Sequence, residues 1–209
     1  MHVARTLGAL VLALAPAGCG GASADSADTG PRPLDEVVRA LQRGGTVVFL
    51  RHAATDRRIE DRPPLLHSCA RQRPLTEAGR GQARTIGRAF RTLRIRVGPV
   101  LSSAYCRTRE TAVLAFRQAR TLQILTGSLL ETAANERRLD RVRALLGRAP
   151  PPGRNSILVG HVSTLEPIAG FELAEGELAV FEPLGGRRFR LIGRVPPVAW
   201  PEIVKRWGR

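Results

Sequence analysis

Three short stretches of this 209-residue chain carry side chains suited to chemistry on an anionic group. They are Leu50-Arg51-His52-Ala53, Ser102-Ser103-Ala104-Tyr105-Cys106-Arg107-Thr108, and Val159-Gly160-His161. An imidazole with an ordinary pKa of about 6.5 is a competent nucleophile near neutral pH. Guanidiniums stay charged and chelate oxyanions bidentately. Two histidines and two arginines brought together could therefore attack a phosphoryl group and hold its oxygens, a task that needs no metal. Taken singly, an Arg-His pair reads as surface, serines before a helix as caps, and a Gly-His as a satisfied histidine.

What unites the three stretches is the element each one follows. Thr46 to Leu50 and Ser156 to Val159 are short apolar runs read as buried strands, and Val97 to Leu101 is a third. Open α/β sheets gather ligands at the carboxyl ends of their strands. Helical periodicity marks Leu34, Val37, Val38 and Leu41, closed by Gly44-Gly45. Thr76 is a plausible N-cap for a helix to about Leu93, Ser103 to Phe116 forms another, and Arg137 to Leu146 a further one. A strand is expected near Leu122 to Leu125, and a hairpin over Leu178 to Phe181 and Arg187 to Ile192 around Gly185-Gly186. Ala53 to Pro74 has no periodicity and reads as a long functional loop. Strands alternating with helices predict an α/β protein, a three-layer α/β/α sandwich on a mostly parallel sheet with an antiparallel edge hairpin.

Composition bounds the rest. Hydrophobic residues form 43% of the chain, so a packed domain is expected. The net charge of +15 is almost all arginine, with Lys205 the sole lysine, and the arginines are scattered without interleaved aromatics. That pattern argues against a specific nucleic-acid partner and suits attraction of a phosphorylated one. Residues 1–19 read as a signal peptide: His2 and Arg5 precede an apolar run from Leu7 to Ala15 that is too short to span a bilayer. Cys19 follows small residues as in a lipoprotein leader and could carry a lipid anchor, although Pro16 departs from that pattern; a plain secretory signal cut nearby is the alternative. Residues 20–33 form a flexible linker and 34–209 the domain. The expected location is outside the cytoplasm, periplasmic or membrane-anchored. In an oxidising compartment Cys69 and Cys106 are a candidate disulfide, the alternative being two buried free thiols.

The order and spacing of these motifs, with Arg73-Pro74-Leu75-Thr76-Glu77-Ala78-Gly79 at a helix start, resemble the histidine phosphatase (phosphoglycerate mutase-like) superfamily over roughly Thr46 to Leu165. The resemblance implies a cofactor-free and metal-free phosphatase, acting on a phosphorylated small molecule or surface group. His52 would become phosphohistidine, while Arg51, Arg107 and a protonated His161 bind the phosphoryl oxygens. Thr55 matches a substrate-binding position. The proton donor implied by the family's Leu-x-Glu motif is Glu131, in Leu129-Leu130-Glu131, with Glu136 and Glu166 as competitors. Ala53 stands where the family has Gly and Ala54 where Glu is common, which argues against a glycolytic mutase. Val162 after His161 argues against the acid phosphatase branch. Competing readings are a cytoplasmic phosphohistidine-protein phosphatase or phosphomutase, and a phosphate-binding protein without turnover.

Overall fold

A computed structural model describes residues 33–63, 66, 68–127 and 132–208. Cys19, His67 and Glu131 lie outside the described residues. Six strands form one sheet: β1 (Val47–Arg51), β2 (Val97–Ser102), β3 (Arg120–Thr121), β4 (Asn155–Gly160), β5 (Leu178–Pro183) and β6 (Phe189–Val195). Their order is β3-β2-β4-β1-β5-β6. The first four are parallel, and the β5–β6 hairpin adds an antiparallel edge beside β1.

Six helices complete it: α1 (Leu34–Arg43), α2 (Glu77–Thr92), α3 (Cys106–Phe116), α4 (Thr132–Leu146), α5 (Val162–Ala169) and α6 (Trp200–Trp207). Strand alternation sends side chains to two separate cores. Val48 and Leu50 of β1 join Val37, Leu41, Ile86, Phe90, Ala112 and Trp200, from α1, α2, α3 and α6. Val47 and Phe49 join Val142, Leu146 and Leu165, from α4 and α5. Helices thus cover both faces, as the apolar runs of the central strands require.

The expected strand near Leu122 to Leu125 is instead the two-residue β3 followed by a 3-10 turn over Gln123–Leu125. The helix expected from Ser103 begins at Cys106, because the Ser103 hydroxyl accepts from Tyr105 N–H and holds the intervening residues in a turn. Helices α5 and α6 escaped the sequence reading: each is only eight residues long, with Pro167 inside α5 and Pro201 in the first turn of α6. Thr76 does cap α2, its hydroxyl accepting from Gly79 N–H at 2.9 Å. A Cβ at Gly79 would lie 2.1 Å from the Ala54 carbonyl oxygen, so only glycine lets α2 seat against the chain just after His52. Cys69 and Cys106 form a disulfide. No described helix is long and apolar enough to cross a membrane.

Candidate active site

Because β1, β2 and β4 are parallel neighbours, their carboxyl ends deliver His52, Ser103 to Arg107, and His161 to one edge of the sheet. Backbone bonds continue past the strands and fix the relative height of these segments. His52 N–H donates to the Gly160 carbonyl at 3.1 Å, and Ser103 N–H to that of Val159 at 3.0 Å. A Cβ on Gly160 would meet the Phe49 ring at 2.6 Å, so a glycine must precede His161 for β1 and β4 to pack.

The result is a cavity of about 200 Å³ lined by Arg51, His52, Arg73, Tyr105, Arg107, Thr126, Gly127, His161, Val162 and Ser163. The His52 and His161 rings lie 5.4 Å apart, edge to face. Tyr105 stands edge-on to His161, and Arg107 stacks on the Tyr105 ring at 4.2 Å. Arg51, His52, Arg107 and His161, singled out from sequence, therefore meet in one place.

The protonation of His52 follows from its partner. Its Nδ1 lies 2.9 Å from the Ala53 carbonyl oxygen, which can only accept, so Nδ1 carries the proton. Burial, with Arg107 and Arg51 nearby, holds the His52 pKa down to about 4 despite that bond. At neutral pH the ring is uncharged, and its Nε2 lone pair is the free nucleophilic site. The expected protonated His161 is not what forms. Burial first, then the adjacent His52 and the arginines, push its pKa well below the ordinary value. A neutral His161 shares a 2.7 Å hydrogen bond between Nε2 and Ser103 Oγ.

The arginines are incompletely satisfied by the protein. The Nε atoms of Arg51, Arg73 and Arg107 are all buried without a hydrogen-bond partner. A buried donor left unpaired costs about 1–3 kcal/mol, more when charged, and all three arginines belong to the wall of the cavity. Arg51 Nη1 donates to the Leu173 carbonyl, and Arg107 Nη1 to Asp61 at 3.1 Å.

Thr55 does not line the cavity. Its hydroxyl donates to Glu175 at 2.7 Å and its N–H to the same carboxylate, which ties the loop after His52 to the segment before β5. Glu136 and Glu166 are exposed and do not reach the cavity. No carboxylate among the described residues lines it, and no group of three or more His, Cys, Asp or Glu side chains among them could hold a metal. Sequence reasoning named Arg73, Tyr105 and Ser103 only within motifs, without a role, and missed the two supporting carboxylates Asp61 and Glu175. Arg73 had a usable signal, an arginine immediately before the Pro-Leu-Thr that starts α2. Asp61 and Glu175 had none.

Residues 47–136 match the family model of the histidine phosphatase superfamily (branch 1). Over those residues the chain is similar to that superfamily. The match marks it as an enzyme, a phosphatase. The matched span holds His52 and Arg107 but stops short of His161, which the chain supplies from the end of β4. Solved structures share the fold. A candidate alpha-ribazole-5'-P phosphatase from Escherichia coli has 18% identity and a TM-score of 0.52, covering 71% of this chain and 95% of that one. Phosphoserine phosphatase from Entamoeba histolytica, in complex with 3-phosphoglyceric acid, has 13% identity and a TM-score of 0.50, covering 71% and 95%. The protein histidine phosphatase SixA, complexed with tungstate, has 14% identity and a TM-score of 0.50, covering 73% and 97%. No curated protein matches the chain.

Proposed function

We propose that this protein hydrolyses a phosphomonoester outside the cytoplasm, without a metal, through a phosphohistidine on His52. The observation that carries the reading is a neutral His52 with its Nε2 free, facing a cavity where three guanidinium Nε donors lack partners. Nε2 gives its lone pair to phosphorus as the ester P–O bond breaks toward the leaving oxygen. Arg51 and Arg107 hold the equatorial oxygens, where one well-placed donor typically contributes about 3–4 kcal/mol to lowering the barrier. The leaving oxygen takes a proton from an acid, for which we assign Glu131, four residues beyond the cavity-lining Gly127. Water then attacks phosphorus and returns a proton to the Glu131 carboxylate, the P–N electrons return to Nε2, and inorganic phosphate departs. An exported location fits the Cys69–Cys106 disulfide.

One observation favours a second reading. With no described carboxylate in the cavity, a substrate that needs little acid assistance, such as a protein phosphohistidine, would suit the site. Both readings meet one experiment. The domain is incubated with p-nitrophenyl phosphate, an alkyl phosphate and a phosphohistidine peptide, with chelator present. Turnover lost in His52→Ala, with acid-labile, base-stable phosphate trapped on the native protein, supports the covalent route. Glu131→Gln should slow the alkyl ester far more than the aryl ester, whose leaving group needs no proton. Equal slowing, or none, removes Glu131 from the mechanism. Turnover that survives His52→Ala removes the covalent route itself.

A further inference from the structure

The described residues between Asp56 and Arg73 lead to the cavity-lining Arg73, yet hydrophobic burial does little to hold them. Apart from Asp61, every described residue from Arg57 to Arg71 is exposed. Their ties are polar and covalent, and they converge on two consecutive residues of α3. Cys69 is bonded to Cys106. The Gln72 side-chain oxygen accepts from Cys106 N–H at 2.7 Å. Asp61 Oδ1 accepts from the Arg73 backbone N–H at 2.8 Å and from Arg107 Nη1 at 3.1 Å. The residue set by all three ties is Arg73, whose side chain lines the cavity with its Nε buried and unpaired.

The three arginines differ in how far the protein already occupies them. Arg51 is engaged by the Leu173 carbonyl, and Arg107 by the Asp61 carboxylate. Arg73, among the described residues, has neither a carbonyl nor a carboxylate on its guanidinium, so it is the least engaged of the three.

We propose that Arg73 is a third guanidinium contacting the substrate's phosphoryl group, and that the Cys69–Cys106 disulfide is the positioning device that keeps it over His52. This rests on the phosphatase reading and adds to it a residue and a covalent dependence. Substrate affinity is thereby linked to the oxidation state of a cystine exposed at Cys69 and half-buried at Cys106: two-electron reduction by an external dithiol, which is itself oxidised to a disulfide, frees both thiols and the strap.

The test is a double-mutant cycle on p-nitrophenyl phosphate turnover and on inhibition by inorganic phosphate. Arg73→Gln should raise KM and the phosphate inhibition constant by about tenfold, as for one lost charge-assisted bond, and lower kcat much less. The pair Cys69→Ser/Cys106→Ser should reproduce that change, and the triple variant should be no worse than either, because the second lesion removes a contact already lost. The proposal is overturned if Arg73→Gln leaves both constants unchanged in an active protein, or if the effects of strap and arginine multiply. Should the serine pair not fold, wild type reduced by dithiothreitol takes its place, with thiol release measured directly. A wild type that neither turns over nor binds phosphate would instead overturn the phosphatase reading beneath this one.

Discussion

The protonation state of His52 can be tested without any substrate. The perturbation is pH. An ordinary histidine titrates near 6.5, whereas burial holds His52 at about 4. In the folded protein the ring therefore remains neutral through a window in which an unfolded chain would take up a proton. Folding is favoured fully above pH 6.5, and the contribution drains away as pH falls from 6.5 to about 4, where the folded ring protonates too. One such difference amounts to about 3 kcal/mol of stability across that window. His161, displaced in the same direction, steepens the loss. Ring-nitrogen NMR is the assay, eased by a chain with only four histidines. His52 should show a protonated Nδ1 and a bare Nε2 from pH 8 down to about 5. Denaturant midpoints should fall over the same range, and His52→Asn should flatten that fall. A His52 resonance titrating near 6.5, or one with the proton on Nε2, would refute both the tautomer assignment and the nucleophile drawn from it.

Other consequences are open to simpler measurements. Replacing Cys69 and Cys106 by serine opens a cross-link spanning 37 residues, and chain entropy sets the loss at about 4 kcal/mol, read from denaturant midpoints. Arg107→Lys keeps the charge but gives up the fork and the stacking on Tyr105, so kcat/KM should drop by about 100-fold with little change in melting temperature. Gly79→Ala drives a methyl into the Ala54 carbonyl oxygen and should cost about 1–3 kcal/mol together with activity, since the chain beside His52 must move. Asn155 is fully buried, bonding Thr46, the Leu41 carbonyl and the Arg96 carbonyl, so Asn155→Leu should destabilise by about 2–4 kcal/mol while the melted fraction alone accounts for lost turnover.

Much of the fold was legible because local pattern and tertiary demand agree. The runs at Val47 to Leu50 and Ile157 to Val159 are apolar on both faces, as central parallel strands between two helical layers must be. The α2 cap at Thr76 is a three-residue interaction, so sequence contains all of it. Agreement fails where an element is short. β3 is two residues long and exists because its neighbour β2 offers an edge, a circumstance absent from its own composition. Helix α6 is recognisable mainly by Trp200 and Ile203, whose burial depends on a face built by α1 and α2 far earlier in the chain.

The site divides along the same line. The identities of His52, Arg51, Arg107 and His161 follow from sequence, because each sits at or within a few residues of a strand's carboxyl end, and strand ends converge by the rules of parallel sheets. Their protonation does not. That both imidazoles are neutral at pH 7 depends on how much protein surrounds them and on which cations lie nearby, quantities fixed only when the chain is packed. Nor could sequence foresee that Thr55 is taken up by Glu175, 120 positions away, or that Arg73 reaches the cavity on a segment tied at Cys106, with Asp61 paired to Arg107. Residue type and spacing determine which chemistry is available here. Long-range contacts decide the charge on each group and which side chains remain for a substrate, because desolvation and pairing act through space and not along the chain.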